Sequence, residues 1–201
     1  MLLSIHDEHP EPRKIRRAVD LLNDGGVIAY PTDTMYGLGC DLFNKKAIDR
    51  LYQIKQIPRT HQFTFICPDL SDIARYAIVD NQQYRLLRRF LPGPYCFILQ
   101  ATREVPKIVQ SKRKTVGIRV PRHEVILAIV RELGRPVINT TAAPVDGEPL
   151  LDPSEIDEQF KGLALTLDAG AGGTLPTTVV DLTGGKIQVI REGAGPIDDL
   201  N

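Results

Sequence analysis

Residues 29–40 read AYPTDTMYGLGC, a run of neutral hydroxyls and glycines just past a strand-like segment, with no cation, no histidine and no zinc-ligand spacing. Pro31 and Asp33 favour a turn, and Gly37 and Gly39 free the backbone. The other reading is a pocket wall, where Thr32, Thr34 and Tyr36 at a strand end hold a polar ligand. On this stretch alone the turn is favoured. Cationic chemistry is more widely spread. Lys55 ends a helical segment and His61 follows in KQIPRTHQF, while Arg119 stands inside the apolar TVGIRVP and Arg191 ends VIREG. A terminal lysine ordinarily offsets a helix dipole. An arginine alternating with Ile118 and Val120 either faces solvent or, turned into a cavity, must pair with an anion to offset its desolvation. Two basic runs, Lys107 with Lys112, Arg113 and Lys114, and Arg85 with Arg88 and Arg89, read as solvated faces able to steer a polyanion.

Other sites are missing from the pattern. There is no Gly-x-x-x-x-Gly-Lys phosphate loop, and GAGGTLP follows a strand but meets Pro176 instead of opening a helix. The four histidines lack metal-ligand spacing, and no serine sits in a nucleophile elbow. Cys40, Cys67 and Cys96 are far apart in apolar surroundings, which predicts reduced, buried thiols and no structural zinc.

The elements that must position these residues follow from periodicity. Ile15, Val19 and Leu22 recur at helical spacing and Gly25–Gly26 ends the run; VIAY reads as a buried strand. NKKAIDRLYQIKQIP is an amphipathic helix capped by Asn44. FTFIC, CFILQA, TVGIRVP, PVINT and LALTLDAG read as strands; DLSDIARYA, NQQYRLLRRF, EVILAIVREL and DPSEIDEQF read as helices. TTVVDLTGGKIQVIREG is a hairpin turning on Gly184 and Gly185. Strands and helices alternate and a hairpin closes the chain, which predicts an α/β fold with a mixed, twisted sheet.

The totals set the frame. At 201 residues, 42% hydrophobic and 25% charged, the chain suits one globular domain over 1–201. Its formal net charge of +0 gives no bulk pull toward nucleic acid or membrane, so any anion must be held locally. MLLSIHDEHPEP is broken by charges and prolines, unlike a signal peptide, and a cytoplasmic protein without membrane partners is expected.

Taken together, GGVIAYPTDTMYGLGCD, the helix to KQIP, PGP, VGIRVP and TTVVDLTGGKIQVIREG are similar, in order and spacing, to the YrdC-like family over about residues 13–196. KQIPRTHQFTFIC and SKRKTVGIRVP most resemble its YciO branch. The resemblance implies flanking helices and a twisted sheet around a concave, positively lined cavity. It implies a threonylcarbamoyl-adenylate synthase: L-threonine and bicarbonate give a carbamate that attacks the α-phosphorus of ATP, with magnesium accompanying the nucleotide, and the product serves modification of tRNA adenosine 37. By the same resemblance Lys55 is catalytic, as the first member of a Lys-x-Arg motif. Thr34, Arg119, Thr140 and Thr177 bind threonine; His61, Thr115 and Arg191 contact the nucleotide. Lys-x-Arg here reads Lys55-Gln56-Ile57, Ser-x-Asn falls on Ala142-Ala143-Pro144, and a histidine of many synthases falls on Ile66. These departures imply weak synthesis. The alternative is a YciO-branch protein without synthase activity that binds a nucleotide, tRNA or double-stranded RNA, with Lys112, Arg113 and Lys114 as the RNA contacts.

Overall fold

The computed structural model describes residues 1–200. In chain order the first half comprises β1 (Leu2–Ser4), α1 (Pro12–Asn23), β2 (Ile28–Tyr30), β3 (Gly37–Asp41), α2 (Lys45–Lys55), β4 (Thr64–Ile66), α3 (Leu70–Tyr76), β5 (Ala77–Ile78) and α4 (Asn81–Phe90). The second half adds β6 (Tyr95–Ala101), β7 (Thr115–Arg119), α5 (Glu124–Leu133), β8 (Val137–Thr141), α6 (Pro153–Gln159), β9 (Leu165–Asp168), β10 (Thr178–Asp181) and β11 (Gln188–Arg191). The strands form one mixed sheet in the order β1-β9-β2-β3-β8-β4-β7-β6-β10-β11, with β5 alongside β6. The fold is therefore the mixed α/β arrangement with flanking helices that the alternation predicts.

Local chemistry explains the helices. The Asn44 side chain accepts the Ala47 N–H at the start of α2, and Asp80 and Gln83 form a reciprocal capping box on α4. Each helix then buries one stripe. Those of α2, α3, α4 and α6 cover one sheet face, packing Ile48, Leu51, Ile73, Leu87 and Ile156 with Phe65, Phe97 and Ile118. On the other face Ile15, Val19 and Leu22 of α1 meet Ile126, Ile129 and Val130 of α5 above Tyr30, Ile66, Val137 and Leu165.

That second cover is incomplete. Side chains alternate along a strand, so Thr64 shares its face with Ile66, and Asn139 shares its face with Val137. Ile66 and Val137 lie in the α1–α5 core, whereas Thr64 and Asn139 line an open cavity. Two helices are laid over one end of the sheet, and the uncovered remainder of the same face becomes the cavity floor.

The glycine-rich stretch after Thr34 differs from the expected turn. Only its first part turns; Gly37–Asp41 is a fully buried strand, antiparallel to both β2 and β8. The glycines are there for clearance. A Cβ on Gly37 would lie 2.2 Å from Asn139 Oδ1, and one on Gly39 would lie 2.4 Å from the Ile138 carbonyl and 2.6 Å from the Tyr30 hydroxyl. β1 and β5, at three and two residues of ladder, are too short to show a period.

Gly39→Ala is therefore expected to lower stability by about 2 kcal/mol or more, as overpacking does. Gly184→Ala, where an added Cβ meets nothing within 4 Å, should change it by less than about 0.5 kcal/mol. Urea unfolding of the two variants checks this.

Candidate functional site

The cavity measures about 250 Å³ and opens to solvent. Its floor is the row Asn139, Thr64, Gly117 and Ile98, from four adjacent strands, with Cys96 and Val179 beyond. Arg119 and Arg191 supply positive charge, and Thr177, Thr140, Thr141 and His61 add polar wall. The floor is half apolar and half hydroxyl and amide, beside two guanidinium groups.

Arg119 is the most constrained of these. It is 6% exposed, and its NH2 donates to Asp33 Oδ1 at 3.0 Å and to Thr34 Oγ1 at 3.1 Å. Asp33 is largely enclosed, its side chain 9% exposed, and its second oxygen accepts the Arg122 backbone N–H at 2.9 Å. The Thr34 turn is in turn braced by the Thr32 hydroxyl, which accepts the Thr34 N–H and donates to the Met35 carbonyl. Both NH2 hydrogens are thus used inside the protein. Arg119 Nε is buried and has no partner among the described residues.

Arg191 lies on the last strand, where Nε and NH2 donate to the Thr177 carbonyl and NH2 also to Thr177 Oγ1. This clamp ties the cavity wall to the start of β10. His61 Nε2 lies 3.4 Å from Thr140 Oγ1. Burial, aided by the nearby Lys55 charge, lowers the His61 pKa. Lys55 closes α2 with its Nζ bonded to the Ala143 carbonyl and 5.5 Å from the centre of the Phe160 ring. Burial alone brings this lysine down to about 8. The Cys96 thiol on the floor is pushed up to about 11 by burial, so it stays protonated.

Five residues singled out in the sequence, His61, Arg119, Thr140, Thr177 and Arg191, therefore line one cavity. Thr34 reaches it through Arg119, and Lys55 adjoins it through the Ala143 carbonyl that follows the lining Thr141. Thr115 is elsewhere: it shares the Arg119 face of β7 but sits at the far end, bonded to Ser111. Lys112, Arg113 and Lys114 are exposed on the turn before Thr115, with Arg113 3.8 Å from Asp181.

The departures from the family motif also take a different meaning. Ile57 packs against the core. Ala142 is fully buried there too, while Thr141, one residue earlier, lines the cavity. A hydroxyl therefore lines the cavity at Thr141, next to the Ala142 position at which the motif comparison finds none. Ile66 lies under the α1–α5 cover, away from the cavity. Sequence reasoning passed over Thr64, Asn139 and Gly117; the one available signal was a polar Asn inside the apolar strand PVINT.

Lys55 makes stability depend on pH. Its pKa is lower in the folded protein than in the unfolded chain, so between about pH 8 and 10.5 the unfolded chain binds more protons. The cost of burying its charge is present in full below about pH 8 and is relieved as pH rises through that window. Relative to Lys55→Met, the wild-type protein should gain stability from pH 7.5 to 10; parallel urea curves at both pH values measure it.

Comparison with known proteins agrees with this architecture. Residues 20–193 match the Sua5/YciO/YrdC family profile, described as telomere recombination. The chain is 42% identical to YciO of Escherichia coli K12 over 196 residues, 96% of this chain and 95% of that one. The crystal structure of E. coli YciO superposes with a TM-score of 0.92, at 40% identity, covering 98% of each chain. A threonylcarbamoyl-AMP synthase of Chromobacterium violaceum is 34% identical over 181 residues, 89% of this chain and 93% of that one. P. abyssi Sua5, crystallised with L-threonine, matches with a TM-score of 0.93 at 26% identity, covering all of this chain and 59% of the longer Sua5 chain. The chain belongs to the Sua5/YciO/YrdC family.

Proposed function

We propose that this protein condenses L-threonine, bicarbonate and ATP into threonylcarbamoyl-adenylate, releasing pyrophosphate. The observation that carries the reading is Arg119. A buried guanidinium whose Nε has no partner among the described residues, facing a small cavity rimmed by hydroxyls, is suited to a carboxylate. The synthase name of the Chromobacterium relative and the threonine in the Sua5 crystal support the same substrate.

In this reading threonine enters with its carboxylate on Arg119. Its amine, after losing a proton, adds to the carbon of bicarbonate and water leaves, giving a carbamate. A carbamate oxygen then forms a bond to the α-phosphorus of ATP as the bond to pyrophosphate breaks. The chain's contribution is alignment and positive charge: Arg191 and Lys55 flank the cavity where phosphate charge would lie, and His61 stands at its mouth. Magnesium would arrive with the triphosphate as part of the substrate; among the described residues no three His, Cys, Asp or Glu side chains gather to hold a metal.

Synthesis is expected to be slow. Where the family motif has an arginine, Ile57 packs partly buried against the core, so one planar phosphate partner is lost. The test is pyrophosphate release measured with threonine, bicarbonate and ATP, and with each omitted in turn. Release that needs all three supports the reading, and Arg119→Ala should cut kcat/KM for threonine by about 100-fold. ATP binding without threonine-dependent release favours the nucleotide- or RNA-binding alternative.

The RNA partner belongs to the same proposal. The exposed Lys112–Lys114 turn immediately precedes β7, at the end of that strand away from Arg119. Structured RNA should bind there weakly and without sequence preference. Replacing all three residues by glutamine should lower the slope of log affinity against log salt by about 2–3, measured by fluorescence anisotropy.

A further inference from the structure

Tyr30, Asn139 and Thr64 form a chain of hydrogen bonds in which every proton has a set direction. The Tyr30 hydroxyl donates to Asn139 Oδ1 at 2.8 Å. Asn139 Nδ2 donates to Thr64 Oγ1 at 3.2 Å, and the Thr64 hydroxyl donates to the Asn139 carbonyl at 3.4 Å. Tyr30 is fully buried, and burial raises its pKa far above the ordinary value, so it remains a donor and holds the amide in one orientation. Gly37 and Gly39 provide the clearance for this arrangement.

Two capacities are left over, side by side on the cavity floor. An amide nitrogen has two hydrogens, and one N–H of Asn139 has no partner among the described residues; a hydroxyl oxygen has two lone pairs, and Thr64 Oγ1 retains one. Gly117, across the ladder from Thr64, adds no side chain to the floor. A neighbouring donor and acceptor match a hydroxyl group, which accepts and donates at one oxygen. They match a carboxylate less well, because it can only accept. Cys96, Ile98 and Val179 form the apolar side of the same cavity, suited to a methyl. Arg119, the carboxylate anchor, lines the same cavity as Asn139 and Thr64.

We propose that Asn139 and Thr64 are the specificity-determining pair that takes the β-hydroxyl of the amino-acid substrate and rejects amino acids of similar shape without one. The proposal rests on threonine being the substrate. A pocket that hydrogen-bonds a hydroxyl discriminates strongly against analogues lacking it, because its own groups are then left buried and unpaired.

The experiment is calorimetric titration of the full chain with L-threonine, L-2-aminobutyrate and L-valine. Wild type should bind threonine about 10–100-fold more tightly than 2-aminobutyrate. Asn139→Ala and the isosteric Thr64→Val should each bring that ratio within about threefold, chiefly by weakening threonine. Tyr30→Phe, which frees the amide to turn, should lie between. Two variants at separate strands, each checked for native unfolding, keep the result independent of one misfolded protein. A ratio unchanged in both Asn139→Ala and Thr64→Val overturns the proposal. Wild-type protein that binds threonine and 2-aminobutyrate alike overturns it while leaving threonine as substrate, whereas wild type that binds no amino acid overturns both.

Discussion

The buried pair between Arg119 and Asp33 holds the site together. It joins residues 86 apart in sequence, linking the turn after β2 to the end of β7 across the top of the sheet. Burying two charges is costly, and their attraction repays it only when the remaining hydrogen-bonding capacity is also met. Asp33 meets that condition with the Arg122 N–H, and Arg119 meets part of it with Thr34. What is left unmet on Arg119 is its Nε, which is buried and has no partner among the described residues. The pair therefore does two things at once: it fixes a guanidinium in one plane before any ligand arrives, and it leaves that guanidinium short of an acceptor.

Around this pair the sheet acts as a platform with unequal cover. α1 and α5 shield one end of a face, and hydrophobic floor residues there give way, two positions along the same strands, to Thr64 and Asn139. A change from apolar to polar side chains along β4 and β8 thus marks the boundary between core and cavity. Arg191 closes the opposite wall from a strand at the edge of the sheet, held by the Thr177 carbonyl. Rigid strands carry most of the lining, which keeps the polar groups at set spacings; His61, Gln62 and Phe63, before β4, and Thr177, just before β10, are the exceptions.

Much of this was legible in the sequence, for physical reasons that also explain what was not. Ile15, Val19 and Leu22 fall on one helical stripe, and Asn44 and Asp80 cap their helices, so local spacing suffices to place α1, α2 and α4. The motif set led to the correct family. β3 was hidden because Gly37 and Gly39 have the composition of a turn; their reason for being there is the bulk of Tyr30 and Asn139, which no local pattern reveals. The Asn139 amide takes its orientation from a phenol 109 residues away. Thr115 shows the converse limit: a residue on the right face of the right strand, two steps beyond the cavity's reach. Thr141 and Ala142 show another, since spacing alone does not tell which of two neighbouring positions turns its side chain to the cavity.

The strand order has a consequence for how the protein is made. β1 pairs only with β9, and β9 also pairs with β2, so the first strand of the chain joins the sheet through a strand near residue 165. The wall bearing Arg191 comes later still, on the last strand. As the polypeptide leaves the ribosome, the segments carrying Asp33, Thr64 and Asn139 emerge well before their enclosure can be finished. Such long-range pairing is slow to form, and a partly built sheet with open edges is exposed to association with other chains in the meantime. The site is completed only once the segment through Arg191 has been synthesised, so a product truncated before it retains most of these strands but lacks one wall of the cavity.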